Sequence, residues 1–183
     1  LPRMNGQLRL QKPPLAYWLS GLSAAALGRF DELALRLPFL FVVLGTAFFT
    51  FLLGAELFRR DVGFLAAVVL LTSPLFGREG QMATADNALV FCACGAWFFH
   101  IKQRNAFQTG AGSRRWALWF YAFLGLGALA KGPVILAVVL LPVLLEALSS
   151  RSRAPLRALW SPAGIALFLG IGALWPLLVV GRL

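Results

Sequence analysis

Long apolar runs separated by short polar groups make up most of the sequence, and this pattern indicates an all-α, polytopic transmembrane protein. Runs such as Leu37–Leu57 and Val134–Leu145 are too apolar for a soluble core, so lipid is the expected solvent. Several runs need their polar flanks to cover a hydrocarbon layer of about 30 Å. We predict six spanning helices: Leu37–Phe58, Val62–Phe76, Asn87–Ile101, Trp116–Ala130, Pro133–Leu148 and Ala163–Val180.

A further apolar run, Leu15–Leu27, would form a helix only about 20 Å long, which is too short to cross a bilayer. It lies between Pro13-Pro14 and Gly28, residue types that start and end helices. We therefore predict that residues 1–36 form a juxtamembrane segment whose helix lies in the membrane interface, and that residues 37–183 hold the spanning helices.

Composition and charge agree with a lipid environment. Hydrophobic residues make up 60% of the chain and charged residues 13%, whereas a soluble domain has about half and a quarter. In a soluble protein, a net charge of +10 would indicate binding to nucleic acid. Here the cations lie between apolar runs, where they set the orientation of spanning helices in a membrane. We expect a lipid bilayer and no nucleic acid as partner. Cys92 and Cys94 point apart on a helix and are interpreted as core residues.

The connecting loops predict the orientation. Residues 59–61, 102–115 and 149–160 fall on one side by parity and carry nine of the 17 Lys and Arg residues, so we assign this side to the cytoplasm. The positive-inside rule, by which cytoplasmic loops carry more Lys and Arg, would be satisfied better if Leu15–Leu27 crossed the membrane. The length of this helix argues against crossing. We follow the length, because an anionic ligand would account for cations on the outer side.

The outer side collects ionisable residues that could carry chemistry: Arg3, Arg9, Lys12, Arg78, Glu79, Asp86 and Lys131. An anion at the start of the interfacial helix would satisfy both Lys12 and the free N–H groups there, and Arg9 could reach the same anion. The alternative for Lys12 is a lysine that extends from the interface into water.

Asp86 stands at the outer start of a predicted span, where it is either a helix N-cap or a carboxylate that acts as a base or orients a sugar hydroxyl. Glu79 is a second carboxylate, unless it only pairs with Arg78. Lys131 lies in a short turn and is either a membrane anchor or a point charge for a phosphate. His100 has no ligand cluster near it in the sequence, so a metal site there is not predicted.

Five segments, in this order, resemble the bacterial GT-C membrane glycosyltransferases related to aminoarabinose transferase and protein O-mannosyltransferases. The combination is more specific than any one segment, and it covers residues 1 to 135. The segments are Leu1–Gly6, Gln11–Leu19, Ala34–Pro38, Gly80–Asp86 and Ala130–Pro133.

The resemblance implies transfer of a sugar from a polyprenyl-phosphate donor to a glycolipid or protein acceptor, at the periplasmic face of the bacterial inner membrane. It places Lys12 at the lipid phosphate and Asp86 in the active-site cavity as a supporting acid. We expect Arg9 and Lys131 to assist in binding the phosphate. Further candidates for substrate binding are Arg3, Tyr17, Arg78 and Glu79.

Two departures from the family pattern affect the expected chemistry. Gln11 replaces an acidic residue that often precedes the Lys-Pro-Pro motif, so no metal ligand is predicted and a divalent cation is left open as cofactor. The first spanning helix and the principal catalytic aspartate of the family would precede Leu1. We therefore expect the chain to be part of a longer transmembrane domain and to be inactive alone.

Two non-enzymatic alternatives remain: a transporter or flippase for an anionic lipid, and a structural membrane subunit. Transporters usually place polar groups near the bilayer midplane, in paired halves. In this sequence Glu56 and Glu146 lie near the predicted cytoplasmic ends of their spans, and no paired halves are visible.

Overall fold

The computed structural model describes residues 3–4, 7–8, 13–80, 82–110, 114–149, 156 and 159–181. This part of the chain is almost entirely helical, as the apolar runs predict. A small antiparallel hairpin, which the apolar pattern does not predict, pairs β1 (Arg3–Met4) with β2 (Gln7–Leu8). The helices are α1 (Leu15–Leu27), α2 (Glu32–Leu57), α3 (Arg60–Thr72), α4 (Pro74–Gly80), α5 (Ala85–Gln108), α6 (Arg114–Lys131), α7 (Val134–Ser149) and α8 (Pro162–Val180).

The ends of the first two helices follow local sequence signals. α1 has the predicted bounds and ends at Gly28, which adopts the left-handed conformation with φ of 63°. α2 begins at Glu32, earlier than the predicted Leu37. The reason is that the Asp31 carboxylate accepts a hydrogen bond from the Ala34 N–H at 2.8 Å and caps the helix.

The predicted span Val62–Phe76 is not one continuous helix, because the chain bends by 67° between α3 and α4. Pro74 begins α4 and cannot donate to the turn before it, and Ser73 has the extended conformation that a residue before proline prefers. The apolar run is continuous, but the helix is not.

α5 continues well past Ile101, where the apolar run ends and where we predicted a loop. Its added turns carry Lys102, which donates to Glu56 of α2 at 2.6 Å, and Arg104, which pairs with Glu146 of α7. These ion pairs stabilise polar helical turns that hydropathy alone assigns to a loop. They also place the ends of α2, α5 and α7 together at one end of the bundle.

Two of the described helices, α2 and α8, are long and apolar enough to cross a membrane. The bent pair of α3 and α4 is a third, if it is counted as one span. α5 and α6 are long but carry more polar residues, and α7 is shorter. The other predicted crossings therefore stay predictions.

The core lies where α5 packs against α2 and α6. Small buried side chains on α5, such as Ala88 and Ala96, allow close approach of the neighbouring helices, as is common for helices in lipid. Aromatic rings fill the remaining space. The Phe49 ring of α2 contacts four rings at centroid distances of 5.2 to 6.0 Å, those of Phe91, Phe98, Phe99 and Phe123.

Candidate functional site

A cavity of about 820 Å³ opens at one end of the bundle, between α1, the start of α5 and the end of α6; we call it the α1 cavity. Its wall is largely apolar with a few polar side chains, which is the composition typical of small-molecule sites. Three of the predicted site residues meet there. The lining is Pro13, Ala16, Tyr17, Ser20, Gly21, Phe30, Leu35, Ala83, Thr84, Ala85, Asp86, Ala130 and Lys131.

An ion pair joins Lys131 to Asp86 in the wall of the α1 cavity. Lys131 ends α6 and Asp86 lies in the first turn of α5, so each charge is favourable with the dipole of its own helix. The Lys131 and Asp86 side chains are 46% and 62% exposed, and such a pair contributes about 1 kcal/mol or less. An anionic ligand can therefore separate the two groups at a small cost in free energy.

Asp86 is not the helix N-cap, so that interpretation of the residue is wrong. Thr84 occupies the N-cap position, and Asp86 follows as the second residue of α5. The Thr84 side chain makes no capping hydrogen bond, and its hydroxyl oxygen is buried in the cavity wall without a partner in the described part of the chain. The Asp86 carboxylate is therefore available to Lys131 and to the cavity.

Arg78 and Glu79 lie apart from this arrangement. Arg78 is exposed, Glu79 is half-buried, and neither lines the α1 cavity. The salt bridges of the described residues do not include a pair between them, so the local ion pair we considered does not form. Their assignment as substrate-binding candidates stays a prediction without support from the cavity.

The remaining candidates are at the start of the chain. Arg9 and Lys12 lie outside the described residues, and only the backbone of Arg3 is described. Pro13, which directly follows Lys12 in the sequence, lines the α1 cavity, as does Tyr17. The roles of Lys12 and Arg9 at a lipid phosphate therefore stay predictions.

Asn87 supports the cavity wall, and sequence reasoning missed it. The residue is 8% exposed, and its side-chain amide nitrogen donates to the carbonyl oxygens of Glu79 at 2.7 Å and Met82 at 2.9 Å. These two bonds hold the segment that carries Ala83 and Thr84 into the α1 cavity. The sequence does contain a signal for this role, because Asn87 is a strongly polar amide that stands next to Asp86 at the start of an apolar run.

The other reactive side chains are part of the packing. Cys92 and Cys94 are free thiols, and Cys92 belongs to the buried core. His100 is buried, with its ring 5.7 Å from that of Phe120. Within the described ranges, His, Cys, Asp and Glu side chains form no group of three or more that could hold a metal ion.

These apolar helices define a polytopic membrane protein, with a cavity at one end of its bundle whose wall carries the Lys131–Asp86 ion pair. Residues 11–175 match the sequence profile described as dolichyl-phosphate-mannose-protein mannosyltransferase. Because this match covers most of the chain, the protein belongs to that family. The resemblance to GT-C membrane glycosyltransferases is thereby confirmed.

Individual relatives are similar over nearly the whole chain. An uncharacterized protein of Aquifex aeolicus (strain VF5) is 30% identical over 98% of this chain and 38% of its own length. The crystal structure of ArnT from Cupriavidus metallidurans in the apo state has a TM-score of 0.89, with 23% identity, over 98% of this chain and 33% of ArnT. The crystal structure of the same protein bound to undecaprenyl phosphate has a TM-score of 0.88, with 21% identity. The chain thus spans little more than a third of these relatives.

Proposed function

We propose that the full-length protein transfers a sugar from a polyprenyl-phosphate donor to a glycolipid or protein acceptor, at the periplasmic face of the bacterial inner membrane. The observation that carries this proposal is the meeting of Lys131 and Asp86 in the wall of the α1 cavity. Family membership and the similarity of the fold to an ArnT structure containing undecaprenyl phosphate support it.

The cavity suits a ligand with a charged head and an apolar tail. Lys131 supplies a cation for a phosphate, and apolar side chains such as Ala16, Phe30 and Leu35 line the space around it. α1 bounds this cavity and is itself the short apolar helix that we expect in the membrane interface. A polyprenyl chain would then stay in the lipid while its phosphate reaches Lys131.

In the proposed reaction an acceptor oxygen attacks the anomeric carbon while the bond from that carbon to the phosphate oxygen breaks. The electron pair of the broken bond leaves with the phosphate, and the positive charge that develops on the sugar is of the oxocarbenium type. Lys131 stabilises the negative charge that grows on the leaving phosphate. The acceptor proton goes to a carboxylate, for which the resemblance predicts an aspartate before Leu1. Asp86 orients Lys131 or a sugar hydroxyl.

The test is transfer from a labelled polyprenyl-phosphate sugar by the full-length protein in lipid vesicles. We expect Lys131→Gln to lower kcat by about 100-fold, the usual effect of removing one donor that stabilises transition-state charge. The matched control is Arg36→Gln, which removes a cation paired with Glu32 at 2.6 Å on an exposed face of α2, outside the cavity lining. Equal rates for the two variants would refute the assignment of Lys131.

A flippase for an anionic lipid is the second candidate, and one observation favours it. The bend of 67° between α3 and α4 is a broken helix of the kind that transporters use. However, the ion pairs between helices, such as those of Lys131 and Lys102, lie at helix ends and not at the middle of a span. Movement of labelled polyprenyl phosphate across vesicles, without any sugar transfer, would identify the flippase.

A further inference from the structure

A second cavity, of about 580 Å³, lies at the opposite end of the bundle from Lys131, and we call it the basic cavity. It is formed by the end of α2, the start of α3 and the late turns of α5. Its lining combines charged groups with apolar side chains. The charged residues are Glu56, Arg60 and Lys102, and the main apolar ones are Phe51, Leu52 and Phe98.

The charges of the basic cavity leave one cation uncompensated. Glu56 accepts from Lys102 at 2.6 Å through one oxygen and from Asn105 at 2.9 Å through the other. Arg60 has no salt-bridge partner among the residues that the structure describes. It is also the first residue of α3, where a cation opposes the helix dipole, so helix stability does not explain its position.

Two neighbouring cations at this end interact with other side chains. Arg59 pairs with Asp61 at 2.7 Å, and Arg115 lies over the Trp116 ring at 4.4 Å from its centroid. Neither lines the basic cavity. Arg60 is therefore distinguished from both by its position at the cavity, and from Arg59 also because it has no carboxylate partner among the described residues.

The apolar half of the lining selects among anions. Phe51 and Leu52 of α2 line the cavity together with Phe98 of α5, and the Lys102 Nζ lies 5.7 Å from the centre of the Phe98 ring. A small soluble anion would gain nothing from these aromatic and aliphatic walls. An acyl chain would remove them from water, which contributes about 25 cal/mol for each Å² of apolar surface.

We propose that the basic cavity binds an anionic phospholipid. The headgroup phosphate lies between Arg60 and Lys102, and an acyl chain follows Phe51, Leu52 and Phe98. Basic pockets between membrane helices bind anionic headgroups in this way. Because it uses residues at the opposite end of the helices, this site is separate from the α1 cavity and does not depend on the proposed glycosyl transfer.

The experiment titrates the purified full-length protein, in an uncharged detergent, with dioctanoyl phosphatidylglycerol. Dioctanoyl phosphatidylcholine and inorganic phosphate are the comparison ligands. Removing one interfacial cation weakens binding of an anionic lipid by about fivefold, so Arg60→Gln should do so. Arg60 is exposed and makes no ion pair with a described residue, so this variant should fold normally. The matched control is Arg115→Gln, with an expected change of less than about twofold.

A second variant tests whether removing a negative charge from the basic cavity strengthens lipid binding. Glu56→Gln releases Lys102 from its carboxylate while keeping the size of the side chain, so phosphatidylglycerol should bind about fivefold more tightly. Equal effects of Arg60→Gln and Arg115→Gln would overturn the proposal, as would equal affinities for the two lipids. Inorganic phosphate binding as tightly as phosphatidylglycerol would show a site for the free anion and would equally overturn it.

Discussion

Substitution of Gly63 by alanine tests how closely α2 and α3 must approach each other. Gly63 of α3 faces Gly54 of α2, so the two backbones are in contact at this point. A Cβ added at Gly63 would clash with the carbonyl oxygen of Phe51 and would lie 2.7 Å from the amide nitrogen of Ala55. These are backbone atoms, so no rotation of a side chain can make room, and the two helices must separate.

The expected loss of stability follows from two opposing effects. Alanine is favoured over glycine within a helix by about 1 kcal/mol. Overpacking costs about 1–3 kcal/mol, and the upper end applies here because the obstructing atoms belong to a helix backbone. The net prediction is a decrease of about 2 kcal/mol in the free energy of unfolding for Gly63→Ala.

The assay is equilibrium unfolding of the full-length protein in mixed detergent, followed by the loss of helical signal. The matched control is Gly172→Ala in α8, where an added Cβ would meet no atom within 4 Å. This control variant has the higher helix propensity of alanine but no steric clash. We therefore expect its free energy of unfolding to be unchanged or slightly raised. If Gly63→Ala were as stable as Gly172→Ala, the close contact between α2 and α3 would be refuted.

Two further substitutions test hydrogen bonds. Asn87→Asp removes the amide donor to Glu79 and Met82, so we expect a loss of about 1–3 kcal/mol in unfolding free energy and a raised KM for the donor in the transfer assay. An unchanged KM would show that Asn87 does not support the cavity wall. Ser161→Ala removes the cap of α8, in which the serine oxygen accepts from the Gly164 N–H at 3.2 Å, and should cost about 1 kcal/mol. Ser161→Asn is the control, because asparagine also caps helices.

Helix bounds could be predicted wherever the signal was local. The bounds of α1 were correct because prolines and Gly28 flank it, and α7 and α8 differ little from their predicted ranges. The bend after Ser73 was missed because the apolar run continues through Pro74 without interruption. Helix length was misjudged where distant residues decide it. Lys102 stays helical because it pairs with Glu56, which is 46 positions away.

The site was predicted as a set of residues on one side of the membrane, but not as a set of contacts. Parity of the spans placed Asp86 and Lys131 on the same side, and the structure brings them together across 45 positions of sequence. That contact depends on how α5 and α6 pack, which hydropathy does not encode. Asn87 was missed because its role is to hold a neighbouring segment of backbone.

The ion pairs of α5 restrict how the protein can move. The first turn of α5 is paired with α6, and its late turns are paired with α2 and α7. A shift of α5 along its axis by one helical turn, about 5.4 Å, would break the partly buried pairs of Lys102 with Glu56 and of Arg104 with Glu146, and it would draw charges towards the hydrocarbon. A change in the volume of the α1 cavity is therefore expected to come from a swing of α1, whose Ser20 hydroxyl donates to the Leu35 carbonyl of α2 at 3.0 Å. α1 also packs against α2, so we expect this movement to turn about the contact between α1 and α2 while α5 keeps its axial position.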